Sequence, residues 1–339
     1  MDPLKSLIGQ YGEFNFIKRF KPNFDGLLTN GEVGIGDDCA VIPDGEESIL
    51  VTTDMLLEDI HFIKDAISPE ELGYKSLAVN LSDIAAMGGT PIGSFLSMAI
   101  PSNIEVSYLD SFMNGYLSLS TKYKVPLLGG DTTKSSDKIT INVCVLGRIR
   151  KDQIKYRKDA VAGDAICVTG PLGDSAAGLE AVLKHTENTN LIKTLKRKHH
   201  KPEPRICEGL FLSSKPEVHA MMDISDGLAS DLKHILEQSN VSAKVNIDNI
   251  PVSTEFKTAC KQYSWDYNKL LVGVGEDYEL LFTVDNNMFD QLNEEFYKKF
   301  EKNIFKVGNI IEGLQEIKWF NNHKLTELNT KGFDHFNNK

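Results

Sequence analysis

The apolar and polar positions of the first half of the chain predict alternating strands and helices. Short apolar runs typical of strands span residues 40–43, 48–53, 92–100, 125–128 and 139–149. The sequence Ser68-Pro69-Glu70-Glu71 combines an N-cap hydroxyl, a proline at the first helical position and a capping-box glutamate, so a helix should begin there. It should end at Gly88-Gly89 and bury one apolar stripe, which consists of Leu72, Ala78, Leu81 and Ala85.

The rest of the chain repeats this alternation, which favours an α/β fold class throughout. Further helices are predicted at 109–117, 174–184 and 228–237, with a polar helical stretch up to Lys201, and further strands at 165–169, 219–224 and 278–284. The charged segment 148–159 should be an exposed linker. We therefore predict two domains, residues 1–150 and residues 151–339.

Length and charge narrow the classes of function. A chain of 339 residues is long enough for about two domains, each with its own core. The formal net charge of −11 disfavours nucleic acid as a partner, because such binding needs a basic surface. The sequence has no uncharged run of the ~18 residues that a membrane span needs. Its first residues also lack the basic region followed by an apolar stretch that is typical of a secretory signal peptide. We expect a cytoplasmic protein that binds neither nucleic acid nor membrane.

Acidic turns beside glycine or hydroxyl residues carry the chemistry of this sequence. They are Gly34–Asp38, Thr52–Asp54, Asn80–Asp83, Gly129–Thr133, Asp223–Gly227 and Gly275–Asp277. Several of them interrupt apolar segments, where a carboxylate is costly to bury unless it is paired or coordinated. Hard divalent cations prefer carboxylate, hydroxyl and carbonyl oxygens, whereas zinc or iron would call for His or Cys. The pattern indicates a magnesium-type site.

Asp83 is the sharpest case, because it lies inside an otherwise apolar helix and shares a face with Asn80. The alternative is an exposed polar position on an amphipathic helix. Standard P-loop, protein-kinase and dinucleotide motifs are absent from the sequence, so any ATP site must be of another kind. His199-His200 lies in a charged stretch where solvent exposure is expected.

Taken in order, these motifs resemble the thiamine-monophosphate kinase family, which belongs to the superfamily that includes aminoimidazole ribonucleotide synthetase. The most characteristic segments are Gly34–Ala40, Asn80–Gly88, Gly129–Thr133, Asp223–Leu228 and Gly275–Leu280. The resemblance implies an N-terminal α/β domain whose mixed sheet pairs across a homodimer, with ATP nearby, and a C-terminal α/β domain that closes over the substrate. It also implies phosphorylation of thiamine monophosphate by ATP. Because this reaction joins two anions, we expect bridging Mg²⁺ ions to hold the nucleophile and the leaving group in line, and we hypothesise direct transfer without a phosphoenzyme.

The resemblance further assigns residues to roles. Implied magnesium ligands are Asp38, Thr52, Thr53, Asp54, Asp83, Asp131, Asp223 and Asp226, of which Asp54, Asp83 and Asp131 are the expected catalytic residues. Implied nucleotide contacts are Tyr123, Gly130, Asp131, Arg157 and Ser225, and implied substrate contacts are His61, Glu276 and Phe333.

Plainer roles remain open for several of these residues. Arg157 could be a solvated surface residue, Tyr123 and His61 could belong to the core, Glu276 could cap a turn, and Phe333 could pack the C-terminus. Two other functions also remain open. One is an ATP-dependent synthetase of the same superfamily, which activates a purine-pathway amide or makes selenophosphate. The other is a non-catalytic nucleotide-binding subunit.

Overall fold

The computed structural model describes residues 7–328, so Phe333 lies outside the described residues. Two short helices open this part of the chain, α1 (Ile8–Tyr11) and α2 (Glu13–Asp25). The strand and helix pattern described above did not predict them. Among residues 7–328, no helix combines the length and the apolar composition needed to cross a bilayer.

A five-stranded mixed sheet forms the core of the N-terminal domain. Its strands are β1 (Ala40–Asp44), β2 (Glu47–Leu57), β3 (Thr90–Ile100), β4 (Leu127–Lys134) and β5 (Thr140–Arg150), in the spatial order β1-β2-β5-β3-β4. The pair β3–β4 is parallel and the other pairs are antiparallel. Helices α3 (Pro69–Ala86) and α4 (Val106–Tyr123) pack together beside this sheet. All the strands predicted here exist, although β4 begins two residues later than predicted and continues to Lys134.

Helix α3 begins with the predicted capping box, in which the Ser68 hydroxyl accepts from the Glu71 amide and the Glu71 carboxylate accepts from the Ser68 amide. The predicted apolar stripe is buried, but so are most of the helix's other residues. The cause is a second partner: α3 also packs against α7 (Ile206–Ser213) of the C-terminal half. Helix α3 therefore lies at the junction of the two halves of the molecule.

Two glycines allow α3 and α4 to approach closely. A Cβ atom on Gly73 would lie 1.9 Å from the Phe112 carbonyl oxygen, and one on Gly115 would lie 1.8 Å from the Glu70 carbonyl oxygen. Both contacts are with backbone, which cannot move aside without separating the helices. The side chains at these positions are thus limited to a hydrogen atom.

The C-terminal half contains a seven-stranded sheet in the order β12-β11-β8-β10-β6-β9-β7. The strands are β6 (Ala165–Val168), β7 (Val218–Asp223), β8 (Ser242–Asn246), β9 (Leu280–Val284), β10 (Phe305–Ile311), β11 (Ile317–Asn321) and β12 (Lys324–Thr326). The remaining helices are α5 (Asp174–Leu183), α6 (Asn190–His200), α8 (Leu228–Ser239), α9 (Thr254–Tyr263) and α10 (Phe289–Phe300). The fold class is therefore α/β in both halves, as the sequence predicts.

Two surface predictions are wrong. The segment predicted to be an exposed linker buries Lys155, whose Nζ donates to the carbonyl oxygens of Lys215 at 2.9 Å and Val218 at 2.6 Å. His199 and His200, expected in solvent, are buried at the end of α6. In each case residues far away in the sequence supply the polar partners or the packing. The density of charged residues in the local sequence therefore does not predict the burial of these side chains.

The close approach of α3 and α4 predicts that Gly115→Ala will destabilise the protein, although alanine is the better helix former. The added methyl group must push the helices apart, at a cost of about 1–3 kcal/mol in the free energy of unfolding. Thermal and urea unfolding followed by circular dichroism would measure it. Gly26→Ala is the matched control, because no atom lies within 4 Å of the Cβ position there. Equal stability of the two variants would contradict the packing argument.

Candidate active site

Three carboxylates from distant parts of the chain meet at the junction of the two halves. Oxygen atoms of Asp38, Asp83 and Asp223 all lie within 4.8 Å of one another. Asp38 precedes β1, Asp83 lies near the end of α3, and Asp223 is the last residue of β7. The first two belong to the N-terminal half and the third to the C-terminal half, so the cluster forms only when the halves are docked.

Strand β2 adds further oxygen ligands beside this cluster. The Thr52 hydroxyl donates a hydrogen bond to Asp83 Oδ2, and Asp54 lies two residues further on, hence on the same face of the strand. The Asp54 amide donates to Asn80 Oδ1 at 3.1 Å, which ties β2 to α3. Burial raises the pKa of Asp54 to about 6, with further contributions from the nearby charges of Glu276 and Asp38.

Burial and repulsion from neighbouring charges raise the pKa values of two of the clustered carboxyl groups, Asp223 and Asp83. The pKa of Asp223 is raised to about 8, mainly by burial and then by the charge of Asp38, and that of Asp83 is raised well above its usual range. Asp223 Oδ2 is buried and accepts no hydrogen bond from residues 7–328. A buried acceptor without a donor is costly. A divalent cation would satisfy it, so the donor set fits a hard metal ion.

Arg157 is the cation that touches this cluster. Its guanidinium donates to both oxygens of Asp38, through Nη2 to Oδ1 and through Nε to Oδ2 at 3.4 Å. Its backbone amide donates to Asp37 Oδ2 at 3.3 Å. Burial and the charge of Asp38 raise the pKa of Asp37 to about 7. The composition-based expectation of a solvated Arg157 is therefore wrong.

Gly130 and Asp131 lie apart from these three carboxylates, on the exposed strand β4. Gly130 has φ +153°, and a Cβ atom there would lie 1.7 Å from the Leu96 carbonyl oxygen, so no other residue fits. The Asp131 carboxylate accepts from the Thr132 amide at 2.9 Å. The strand thus presents bare backbone and a carboxylate to solvent.

Two of the predicted site residues, Thr53 and Tyr123, make hydrogen bonds outside the acidic cluster. The Thr53 hydroxyl donates to the Val143 carbonyl oxygen at 3.1 Å and accepts from Asn142 Nδ2 at 2.9 Å, on the opposite face of β2 from Thr52. The Tyr123 hydroxyl donates to Glu203 Oε1 at 2.8 Å. The Thr53 side chain therefore does not join the acidic cluster, whereas the predicted contact of Tyr123 with the nucleotide stays a prediction.

A cavity of about 270 Å³ brings together the other predicted contacts. His61, Ser225, Asp226 and Glu276 line it, together with Ser175 and His199. His61 is oriented by the Leu57 amide, which donates to its Nδ1 at 3.1 Å. The segment from Asp223 to Asp226 runs from the acidic cluster to this cavity, so the two sites are neighbours.

The turn that carries Glu276 is held by ion pairs and hydrogen bonds to three of its acidic residues. Lys75 Nζ lies 2.6 Å from Glu276 Oε2. Asp277 accepts from the amides of Gly173 at 2.7 Å and Ser175 at 3.0 Å, at the start of α5. Glu279 is buried against Arg205, whose Nε donates to its Oε2 at 2.9 Å. The turn therefore has little freedom to move.

Sequence reasoning missed three residues of this region: Lys75, Arg205 and Asp231. Lys75 interrupts an apolar helix as Asp83 does, so the criterion that selected Asp83 could have found it. Asp231 is buried and accepts a hydrogen bond from the Asp226 amide at 3.2 Å. It lies on a helix with both polar and apolar residues, so the sequence pattern did not indicate its burial.

Comparison with known proteins identifies the family to which this chain belongs. The family model for the AIR synthase related protein, N-terminal domain, matches residues 36–149, and the model for the C-terminal domain matches residues 161–316. A thiamine-monophosphate kinase of Buchnera aphidicola (subspecies Acyrthosiphon pisum) is 40% identical over 331 residues, which cover 96% of this chain and 99% of that protein. The enzyme of Bacillus subtilis is 37% identical over 312 residues, or 90% and 94% of the two chains.

A solved structure described as AaThiL complexed with AMPPCP and TMP superposes with a TM-score of 0.84 and is 32% identical. The match covers 98% of this chain and 99% of that one. Because relatives of this identity align over nearly their whole length and both domain models match in chain order, the chain belongs to the thiamine-monophosphate kinase family of AIR synthase related proteins.

Proposed function

We propose that this protein transfers the γ-phosphoryl group of ATP to thiamine monophosphate, giving thiamine diphosphate and ADP. The observation that carries the proposal is the cluster of Asp38, Asp83 and Asp223, which lies beside the cavity lined by His61 and Glu276. The relative solved with AMPPCP and TMP supports it, because that protein holds a nucleotide analogue and this substrate. The proposed domains are residues 1–150 for nucleotide and metal, and residues 151–339 for closure over the substrate.

We assign Mg²⁺ ions to the oxygen ligands around the cluster. The proposed side-chain ligands there are Asp38, Thr52, Asp54, Asp83, Asp223 and Asp226, and the Thr53 hydroxyl is left out because it faces away. We propose Asp131, which lies apart from the cluster on the exposed strand β4, as a separate magnesium ligand. Elevated carboxyl pKa values and the orphaned oxygen of Asp223 support metal binding on physical grounds. Bound magnesium would supply positive charge where phosphates meet.

The residues of this chain have to bring two anions together. Two unit charges 4 Å apart repel by ~1 kcal/mol in water and by ~4 kcal/mol at an effective dielectric constant of 20. We propose that Arg157, Ser225 and the backbone at Gly130 bind the nucleotide, and that His61 and Glu276 orient thiamine monophosphate. A phosphate monoester is mostly dianionic at pH 7, so its oxygen needs no strong general base. We therefore propose direct in-line transfer without a phosphoenzyme.

Two other functions are weaker. A selenophosphate-type synthetase would need a reactive cysteine near the N-terminus, whereas the first cysteine, Cys39, is buried and burial raises the pKa of its thiol. A non-catalytic nucleotide-binding subunit would be expected to have lost metal carboxylates, and the cluster retains them. An amide-activating synthetase remains the main rival, which the substrate assay below addresses.

We also propose that the protein is a homodimer that pairs through the five-stranded sheet. One face of this sheet is covered by α3, against which α4 packs. The other face exposes large apolar side chains: Ile42, Met55, Ile92, Phe95 and Leu128. An exposed sheet face rich in large apolar side chains is typical of a protein–protein interface.

The proposed activity predicts ADP release that requires both Mg²⁺ and thiamine monophosphate. A coupled ADP assay should compare thiamine monophosphate, thiamine and a purine-pathway amide substrate, with thiamine diphosphate identified by chromatography. Of the three compounds, we expect only thiamine monophosphate to give product, because only it presents an ionised phosphate oxygen as the nucleophile. If only the amide substrate caused ADP release, the amide-activating synthetase would be favoured. Isolation of a phosphoenzyme on the reaction pathway would exclude direct transfer.

The metal assignment predicts opposite effects of Asp223→Asn with and without magnesium. Without metal, the raised pKa of Asp223 means that its ionisation costs stability, increasingly so as the pH rises from 4 to 8. The variant should therefore melt higher than the wild type at pH 7.5, yet gain almost nothing from Mg²⁺. Scanning calorimetry with and without Mg²⁺ would measure both.

The matched control for Asp223→Asn is Asp164→Asn, another buried carboxylate. Asp164 pairs with His219 Nδ1 at 2.9 Å, outside the acidic cluster. Its loss should lower the melting temperature equally with and without metal. An Asp223→Asn variant that keeps the full stabilisation by Mg²⁺ would refute the metal assignment.

The dimer proposal predicts a solution mass of about twice the chain mass of 37.7 kDa. Met55→Glu places a charge on the apolar sheet face, where the Met55 side chain is 52% exposed, and should give monomers. Leu314→Glu is the control, since Leu314 is 88% exposed in the turn between β10 and β11. Light scattering after size exclusion would decide, and a wild-type monomer would contradict the proposal.

A further inference from the structure

Lys75 is almost completely buried, with a side chain only 1% exposed. Lysine is rarely buried to this extent unless it is paired. Its partner is Glu276, whose Oε2 lies 2.6 Å from Lys75 Nζ. The pair joins α3 of the N-terminal half to the turn that precedes β9 in the C-terminal half. Lys75 is not among the residues proposed to bind metal, nucleotide or substrate.

The contact leaves the Glu276 carboxylate partly open to the cavity. Its side chain is 27% exposed and lines the cavity with His61. The contacts described for it converge on Oε2, which also lies 3.4 Å from His199 Nδ1. For Oε1, no hydrogen bond or ion pair is described within residues 7–328. One oxygen is thus held while the other is available to a ligand.

Lys75 also balances charge at this point of the site. The charge of Glu276 is one of the causes that raise the pKa of Asp54, so the two carboxylates interact. His199 cannot neutralise Glu276, because burial and the charge of Lys75 lower its pKa well below the usual value. Lys75, in contact with Glu276 Oε2, therefore supplies the positive charge that offsets this carboxylate next to the acidic cluster.

Helix α3 links this pair to the metal ligands. Lys75 and Asp83 are eight residues apart on one helix, which is about 12 Å along the axis. The capping box and the close packing on α4 hold the helix in place. A single rigid element therefore sets the distance between the acidic cluster and the carboxylate of Glu276.

We infer that Lys75 is a positioning residue for the substrate: by holding Glu276 Oε2 it directs the other oxygen of this carboxylate to a cationic or N–H-donating heterocycle in the cavity. The inference rests on the proposed function, in which that heterocycle belongs to thiamine monophosphate. Lys75 itself does not touch the substrate. The competing possibility is that the pair only joins the two halves of the molecule.

Lys75→Met tests the inference, because methionine keeps the length of the side chain and removes its charge. We expect the KM for thiamine monophosphate to rise roughly tenfold or more, since the orienting partner of Glu276 is lost. The KM for ATP should change less than twofold. Calorimetric titration with thiamine monophosphate in the absence of ATP should show the same loss of affinity without relying on turnover.

Lys155→Met is the matched control. Lys155 is also buried, and it links the Met87 carbonyl oxygen to Lys215 and Val218 through hydrogen bonds, but it does not line the cavity. A purely structural role would make the two variants alike. We expect Lys155→Met to lower the melting temperature while its KM for thiamine monophosphate stays within twofold of the wild type.

Glu276→Gln and the double variant Lys75→Met/Glu276→Gln keep the test decisive if Lys75→Met does not fold. If Lys75 acts through Glu276, the double variant should bind thiamine monophosphate as Glu276→Gln does, within twofold. A further tenfold loss in the double variant, or equal changes in the two KM values of Lys75→Met, would overturn the inference. A wild type without activity on thiamine monophosphate would instead overturn the proposed function.

Discussion

The repulsion among buried carboxylates is the constraint on which this structure depends. Asp38, Asp83 and Asp223 come from a loop, a helix and a strand end, and their oxygens lie within 4.8 Å of one another. Like charges at that separation in a buried site oppose folding, and the elevated pKa values of Asp83 and Asp223 report the cost. The fold tolerates this cost because packing between the two halves fixes the elements that carry the acids.

The structure separates acids that hold the fold together from acids that remain available. Glu279 is paired with Arg205, and Asp277 accepts two backbone hydrogen bonds, so both have their partners inside the protein. Asp223 has an oxygen that accepts no bond from the described part of the chain. Glu276 is intermediate, with one oxygen held by Lys75 and the carboxylate facing a cavity. Acids that stabilise the fold thus have their hydrogen-bond partners within the protein, whereas acids of the site keep an oxygen that can bind a ligand.

Local patterns in the sequence predicted what local physics decides. The capping box fixed the start of α3, and the cost of a carboxylate in an apolar helix identified Asp83. Burial of Lys155 and His199 could not be predicted this way, since their partners are far along the chain. Lys75 shows the remaining bias: a lysine in a helix is normally read as solvent-exposed, although its apolar neighbours carried the same signal as those of Asp83.

The net charge of −11 takes on a different meaning at the site. Acidity spread over a surface would repel phosphates, but the acids that meet at the junction are buried and held by rigid elements, where bound cations would reverse the sign of the field. Two of the three clustered carboxylates come from one half of the molecule and one from the other. A cation held by all three would therefore strengthen the docking of the halves, and the same docking positions Glu276 against Lys75. The neutralisation of the clustered charges and the position of the Glu276 carboxylate are in this way coupled through the placement of α3.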